Sequence, residues 1–322
     1  MTKDFTSSGL KAILHSKRAN IYYLEHCRVM QKDGRVLYLT ESKKENLYWN
    51  IPIANTTVIL LGTGTSITQA AMRMLASAGV LVGFSGGGGT PLLMASEIEW
   101  LTPQSEYRPT EYMQGWMSFW FDESKRLQAA KQFQISRISF LKTIWNKDKD
   151  LKAEGFYADD SDISTSLDKA LQNIEKVTNV GNLLQAEAQL TKQLYKAAAI
   201  RTKYGDFTRQ REAEDKANSF LNHGNYLAYG LAATTLWVLG IPHSFAVMHG
   251  KTRRGALVFD IADLVKDALI LPWSFICAKG KYSEQEFRQQ ILQIFTKSKA
   301  LDFMFNKVKE IALKQDWKGI ET

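Results

Sequence analysis

Cysteine is scarce in this 322-residue chain, where Cys27 and Cys277 are the whole complement. They form no CxxC pair and no zinc-ligand spacing, which excludes a disulfide-stapled scaffold and fits a reducing compartment. Long apolar runs are missing too. The candidates are broken by Thr, Pro or Gly before they reach the roughly 20 residues that a bilayer crossing needs. The first residues lack the charged-then-apolar pattern of a secretory leader. A soluble, cytoplasmic protein with no membrane partner is therefore expected. There is no Gly-x-Ser-x-Gly and no Cys/His pair with a third member, which argues against a nucleophile-dependent hydrolase. Internal repeats are absent, and the four glycines Gly86 to Gly89 are the only low-complexity tract.

What is present is an ordinary globular composition, 45% hydrophobic and 23% charged, with a length that suits two domains. Lys and Arg number 41 against 33 acids, a net charge of +8. Such a surface attracts polyanions, nucleic acid first and anionic membrane second.

The pattern is α+β: an N-terminal β-rich domain over residues 1–106, assigned to dimerisation and DNA contact, then a larger all-α catalytic domain over 107–322. The run Asn20 to Met30, the turn Asp33-Gly34 and the run Arg35 to Thr40 read as a hairpin. Thr56 to Leu61 and Val80 to Phe84 read as buried strands, and Ser66 to Ala78 as a helix. Glu97 to Thr110, with Pro103 and Pro109, reads as a linker. Helices are expected near 111–146, 164–177, 182–203, 213–238, 256–276 and 284–313, with Gly155, Gly181, Gly205, Gly240 and Gly280 at their ends. The aromatic run Trp116, Phe119, Trp120 and Phe121 reads as core.

Gly62-Thr63-Gly64-Thr65 sits where a phosphate loop would. The third glycine is replaced by Ile67, no acid follows the next strand, and no Lys-Ser or Lys-Thr completes a P-loop. A turn closing a β-α-β unit is the expectation.

The polar pattern of the C-terminal part is richer. Glu187 falls on the apolar stripe Leu183, Leu184, Leu190, Leu194, Ala197 and Ala198, so its carboxylate must be paired, metal-bound or protonated. His243 and His249 precede the basic loop Gly250-Lys251-Thr252-Arg253-Arg254-Gly255. Asp260, Asp263 and Asp267 follow and would share one helix face. Like charges that close are tolerated if solvated, protonated or neutralised by a cation. Imidazole with carboxylates suits Mg²⁺ or Mn²⁺, and the Lys/Arg loop suits a phosphodiester. Asn225 and Tyr226 lie in a helix that could approach this site, orienting a ligand or stacking on a base. From spacing alone, Asp260, Asp263 and Asp267 are equally eligible as ligands.

Several segments resemble one family. They are His15-Ser-Lys-Arg-Ala-Asn, Tyr48-Trp-Asn-Ile-Pro-Ile-Ala-Asn-Thr-Thr, Leu61-Gly-Thr-Gly-Thr-Ser-Ile-Thr, Ser85-Gly-Gly-Gly-Gly-Thr-Pro-Leu and Trp100-Leu-Thr-Pro-Gln-Ser-Glu-Tyr-Arg-Pro-Thr. The most distinctive are His223-Gly-Asn-Tyr-Leu-Ala-Tyr-Gly and His249-Gly-Lys-Thr-Arg-Arg-Gly-Ala-Leu-Val-Phe-Asp-Ile-Ala-Asp. Over nearly the whole chain the sequence resembles the CRISPR adaptation integrase, the universal Cas endonuclease that inserts new spacers, in its type I-F branch. The resemblance implies a Glu/His/Asp metal set at Glu187, His249 and Asp263, with Asp260 a further acid that some accounts count as catalytic. It implies Mg²⁺ or Mn²⁺ as cofactor, and DNA-backbone contacts from Lys251, Arg253 and Arg254. The implied reaction is attack by a DNA 3′-hydroxyl on a repeat phosphodiester, with cleavage of branched or free DNA as a related activity. Implied partners are double-stranded and branched DNA, a second copy of the chain in a homodimer, and a small Cas adaptation protein fused in this subtype to a helicase-nuclease. One departure stands out. The wider family commonly has Glu three residues after the ligand Asp, where this chain has Lys266, which leaves the role of Asp267 open.

Overall fold

The computed structural model describes residues 20–41, 46–86, 99–101, 110–210, 212, 215–250 and 255–317. The chain divides into two compact units, Met1–Arg108 and Pro109–Thr322. The first is rich in strands and the second is helical, as the α+β reading expects.

The first unit contains β1 (Asn20–Leu24), β2 (Cys27–Lys32), β3 (Arg35–Glu41), β4 (Asn46–Ile51), β5 (Thr56–Leu61), β6 (Ser66–Ile67), α1 (Gln69–Ser77), β7 (Leu81–Phe84) and β8 (Glu99–Leu101). They form two four-stranded sheets, ordered β1-β5-β7-β8 and β4-β3-β2-β6. The hairpin arm expected from Asn20 to Met30 is in fact two strands in two sheets. β1 runs parallel to β5, and only β2 pairs with β3 across the Asp33-Gly34 turn. The reason is legible in the burial. Leu24 and Cys27 both enter one core with Val29, Val36, Ile59 and Val82. Residues three apart on one strand face opposite sides, so the chain kinks between them, with His26 at φ 47°.

Two further boundaries differ from expectation. Ser66 and Ile67 pair with β2, and α1 starts only at Gln69, capped by Thr68, whose hydroxyl accepts the Ala71 N–H. Within the expected linker, Glu99–Leu101 forms an antiparallel edge on β7; residues 97–98 and 102–109 lie outside the described residues. Gly62–Thr65 is a structural turn between β5 and β6. Gly64 takes φ +71°, and a Cβ there would lie 2.5 Å from the His26 ring. Across the unit β5, α1 and β7 make the expected β-α-β crossover.

The second unit contains α2 (Glu111–Trp120), α3 (Glu123–Lys147), α4 (Lys149–Ala153), α5 (Ser161–Lys176), α6 (Val180–Thr202), α7 (Lys216–Leu239), α8 (Ala256–Val265), a π-helical turn at Lys266–Ile270, α9 (Leu271–Lys279), α10 (Glu284–Lys297) and α11 (Ala300–Ala312). The expected helix 111–146 breaks at Asp122, which is extended and caps α3 by accepting the Lys125 N–H. The expected helix 284–313 breaks at Lys299, φ 53°. Gly181 lies inside the first turn of α6 rather than beyond a helix end. Trp116 and Phe119 are core, as expected, but Phe121 is 69% exposed.

The most consequential difference is the π turn within the expected helix 256–276. Pro272 carries no N–H to give to the Ala268 carbonyl. That carbonyl instead accepts the Trp145 indole N–H at 3.1 Å, and the Leu271 N–H reaches back to Lys266. A wide turn of this kind absorbs the missing bond without ending the helix. α8 itself is apolar on almost every face, with α3 and α7 packed on it. It is therefore a core helix, and Asp260 and Asp263 are carried on it into the interior, 2% and 4% exposed.

No described helix is long and apolar enough to cross a membrane. Both cysteines are free and buried, and burial pushes the thiols up to about 11 for Cys27 and about 12 for Cys277, so neither forms a reactive thiolate.

Candidate metal centre

The loop after α7 is anchored before it reaches the site. From α2, the Trp116 and Trp120 indoles donate to the carbonyls of Phe245 and Ala246 at 3.1 and 2.8 Å. The next three residues wrap around Asp260. Its Oδ2 accepts the N–H groups of Val247 and Met248 at 2.7 and 3.1 Å, and its Oδ1 accepts that of His249 at 2.9 Å. The same Oδ1 lies 2.7 Å from His249 Nδ1. A carboxylate at Nδ1 holds the proton there, which turns the Nε2 lone pair outward.

What Nε2 faces is an acidic pocket. Glu187, His249 and Asp263 each offer a ligand atom, and these atoms lie within 4.8 Å of one another. Nε2 is 3.8 Å from Asp263 Oδ2, while Asp263 Oδ1 is paired with Lys266 one turn on. Glu187 sits at the edge of the buried stripe of α6, with Oε1 3.1 Å from Arg137 Nη1. The ion pair open to Glu187 is formed, and the same carboxylate lies among the three candidate ligand atoms.

Asp260, Asp263 and Asp267 do not crowd one another, because each has its own counter-group. The carboxylate of Asp267 is bound by Arg137, whose Nε donates to Oδ2 at 2.7 Å and whose Nη2 also contacts it. Arg137 is 3% exposed and further bonds Thr191 at 2.6 Å and Gln134 at 3.0 Å. Asp267 is therefore the partner of a buried cation, lying outside the ligand cluster.

Charge follows from this geometry. Among the described residues, the four carboxylates of Glu187, Asp260, Asp263 and Asp267 face two permanent cations, Arg137 and Lys266, leaving two negative charges while His249 is neutral. Burial pushes the Glu187 carboxyl above its usual range, Asp263 adds to that, and Arg137 opposes it. Burial alone would also raise Asp263, but Lys266, His249 and Arg137 outweigh it and hold Asp263 below the usual range. For His249, burial favours the neutral ring, but the Asp260 hydrogen bond and the charges of Asp263, Asp260 and Glu187 prevail, so its pKa is raised. One imidazole and two carboxylates with two uncompensated charges fit a divalent cation of the Mg²⁺ or Mn²⁺ type.

Other residues singled out by the sequence stand further off. Asn225 is half-buried on α7, one turn before Tyr229. Tyr226 is 37% exposed and meets Tyr229 edge-on, which in turn meets Phe259 at 4.7 Å. Phe259 lies 6.5 Å from the His249 ring, so Tyr226 is reached only through two intervening rings. Lys251, Arg253 and Arg254 lie outside the described residues. Sequence reasoning missed Arg137 altogether, although its signal matches that of Glu187: a charge on an apolar stripe, between Phe133 and Leu141 at i−4 and i+4. At Gly224 a Cβ would lie 2.5 Å from the Ile270 side chain, so that glycine lets α7 close on the π turn.

Comparisons with known proteins agree with one another. The family model described as CRISPR associated protein Cas1 matches residues 21–309. Two relatives are each called CRISPR-associated endonuclease Cas1. The one from Pseudomonas aeruginosa is 56% identical over 96% of this chain and 97% of its own, and the one from Pectobacterium atrosepticum is 54% identical over 98% of both. Among solved structures, a casposase bound to integration product aligns over 91% of this chain and 89% of its own, at TM-score 0.67 and 14% identity. A TtCas1–DNA complex aligns over 94% and 95%, at 0.63 and 19%. A Cas6-RT-Cas1–Cas2 complex aligns over 92% of this chain and 34% of its own, at 0.60 and 14%. At such identities the solved structures speak for the fold alone.

Proposed function

The chain belongs to the Cas1 family of CRISPR-associated proteins, and from that premise we propose that it is a metal-dependent integrase and endonuclease whose centre is Glu187, His249 and Asp263. The observation that carries this reading is the convergence of these three ligand atoms within 4.8 Å, in a pocket that among the described residues holds two more carboxylates than cations. The reaction is transesterification. A DNA 3′-hydroxyl attacks a phosphodiester of the repeat, a new P–O3′ bond forms, the old one breaks, and the departing strand leaves as a 3′-hydroxyl carrying a proton. Water in place of the hydroxyl gives hydrolysis of branched or free DNA. A Mg²⁺ or Mn²⁺ ion, when bound, polarises the phosphoryl oxygen and lowers the pKa of the attacking hydroxyl.

The chain's own residues do the rest. Glu187, His249 and Asp263 hold the ion. Asp260 is a positioning residue that sets the His249 ring and its tautomer. Lys266 fixes the Asp263 carboxylate by taking one oxygen, and Arg137 does so for Glu187. Lys251, Arg253 and Arg254 hold the DNA backbone and offset charge developing on the phosphate. The working assembly is a homodimer on double-stranded or branched DNA with a small Cas partner that is itself fused to a helicase-nuclease. The N-terminal unit serves dimerisation and DNA contact, and Asn225 and Tyr226 border the DNA path.

The test is strand joining. Protein and partner are incubated with Mn²⁺, short duplexes bearing 3′-hydroxyls and a repeat-containing plasmid. Labelled duplex is expected to become covalently attached at the repeat, and not when Mn²⁺ is replaced by EDTA. Activity on forks or flaps that ignores both partner and repeat would instead make the chain a repair nuclease.

A further prediction concerns Asp260. Proton and metal compete for His249 Nε2, and the pKa of His249 is raised from its ordinary 6.5. Mn²⁺ affinity is therefore expected to fall as the pH drops, starting above pH 6.5, and to recover as it rises. Asp260→Asn is expected to weaken Mn²⁺ binding by about 10–100-fold. It should also move the onset of proton competition to lower pH, because the negative charge of Asp260 that helps raise His249 is gone. Mn²⁺ titrations between pH 5.5 and 8 read both effects. Weaker binding with an unmoved pH profile would reduce Asp260 to a purely structural role.

A further inference from the structure

Beyond the ligand cluster, the row of residues on α6 continues. Glu187, Thr191 and Tyr195 stand at i, i+4 and i+8, all half-buried along the edge of the helix's apolar stripe. The Tyr195 ring meets Phe207, two residues before Arg209, at 5.5 Å between centroids, and the electrostatic neighbours of its hydroxyl are Asp267, Arg209 and Lys266. Eight residues of helix place Arg209's end of the row about 12 Å from Glu187.

Arg209 is held in an unusual way. Its Nη1 donates to the Asn218 side-chain oxygen at 2.9 Å and to the Gln210 carbonyl at 3.0 Å, and its Nη2 donates to the Asn222 side-chain oxygen at 2.6 Å. Every one of these partners is neutral, and among the described residues no carboxylate forms an ion pair with Arg209. The two cations at the metal centre differ: Arg137 and Lys266 both sit on carboxylates.

The clamp is itself built. Asn218 is 1% exposed and uses every part of its amide. Its oxygen accepts from Arg209 and from the Gln210 N–H at 3.0 Å, and its nitrogen donates to the Thr208 carbonyl at 3.0 Å and to Asp215 at 2.7 Å. Asp215 in turn caps α7 by accepting the Asn218 N–H. A loop is thus pinned so that one guanidinium is oriented with no carboxylate paired to it among the described residues. A half-buried cation with only neutral acceptors gains most from an incoming anion.

Resting on the DNA-processing reading above, we propose that Arg209 binds a backbone phosphate of the DNA strand that enters the metal centre, a few nucleotides from the reacting phosphodiester. Asn218 and Asn222 are its positioning residues. Arg209 and Lys266 then stand at the two ends of one track, with Tyr195 between them. Lys266's charge is spent on Asp263, and Arg209's is left for DNA.

The experiment uses the full-length protein in EDTA with a fluorescein-labelled single-stranded oligonucleotide, and measures affinity between 50 and 300 mM NaCl by anisotropy. Arg209→Gln keeps hydrogen-bond donors for the clamp and removes the charge; Arg209→Lys keeps the charge. One phosphate contact corresponds to a slope of about 0.7 in log affinity against log salt for single strands. The expected result is that Arg209→Gln lowers the slope by about that amount and weakens binding at the lowest salt, while Arg209→Lys retains most of both. Mn²⁺ affinity measured in parallel should stay at the wild-type value for both variants. A wild-type salt slope in Arg209→Gln overturns the proposal. So does an equal loss in both variants accompanied by a lowered Tm, which would make Arg209 only a loop clamp. Neither outcome touches the integrase assignment, which falls only if the wild-type protein joins no strands.

Discussion

Exchanging Asp263 for asparagine is expected to lower Mn²⁺-dependent cleavage and joining of DNA by at least about 10³-fold, a barrier increase of about 4 kcal/mol, while the protein stays folded. The substitution keeps the shape of a side chain that is 4% exposed and removes its charge. The ligand set loses one of its two carboxylates, and the pocket's surplus of two negative charges falls to one. Lys266, whose pKa is raised with Asp263 as the leading favourable cause, loses that partner and remains close enough to Glu187 to act on it. The new balance therefore disfavours a divalent ion twice over, through a missing ligand and through a cation seeking the remaining one. Calorimetric titration with Mn²⁺ should show the loss directly, and circular dichroism should show an unchanged helical signal. Wild-type turnover in this variant would remove Asp263 from the centre.

Arg137→Ala is expected to produce the largest fall in stability of any single substitution near the site. Arg137 is 3% exposed and is shared between Asp267, Glu187, Thr191 and Gln134. Removing one partner of a buried ion pair leaves the other charged and unsolvated, at a cost of about 3–5 kcal/mol. For a helical unit of this size that is a fall in Tm of roughly 6–20 °C. The companion variant separates the causes. Arg137→Met with Asp267→Leu removes both charges and fills the space, and should recover much of the lost stability. Yet it should not recover metal binding, because Glu187 still lacks the guanidinium that holds one of its oxygens. Thermal melts and Mn²⁺ titration on the same samples read the two quantities. A Tm within about 2 °C of wild type for Arg137→Ala would mean the pair is solvated, contrary to its burial.

The ends of the polar constellation differ in how far spacing could reveal them. Asp260 and Asp263 were readable as acids on a strongly apolar helix, and Glu187 as an acid on an apolar stripe, because helical periodicity alone says which side faces inward. The same argument applied to α3 would have exposed Arg137. What periodicity could not do was separate Asp260, Asp263 and Asp267. On a regular helix the three share a face; in the fold, one collects the backbone N–H groups of Val247 to His249, one pairs with Lys266, and one pairs with Arg137. Those counter-groups come from residues up to 130 positions away, and no local pattern encodes them.

The first unit teaches the same lesson with strands. The Asp-Gly turn and the alternation around it located the β2–β3 pair correctly, since a two-residue turn fixes its own register. The same alternation made β1 and β2 look continuous. Only their assignment to separate sheets, forced by the need to bury both Leu24 and Cys27, divides them.

By itself, then, the sequence determined the class of the fold, the turn chemistry, the helical faces and a short set of charged side chains bound for the interior. Each of these depends on interactions within a few residues, where spacing and side-chain chemistry are sufficient. Tertiary structure alone decided the π turn at Lys266–Ile270, because a missing N–H at Pro272 matters only when Trp145 is there to take the freed carbonyl. It alone decided the distinct jobs of the acids as well. A buried carboxylate's role is set by whichever cation or N–H group the packing brings to it, and packing is a property of the whole chain.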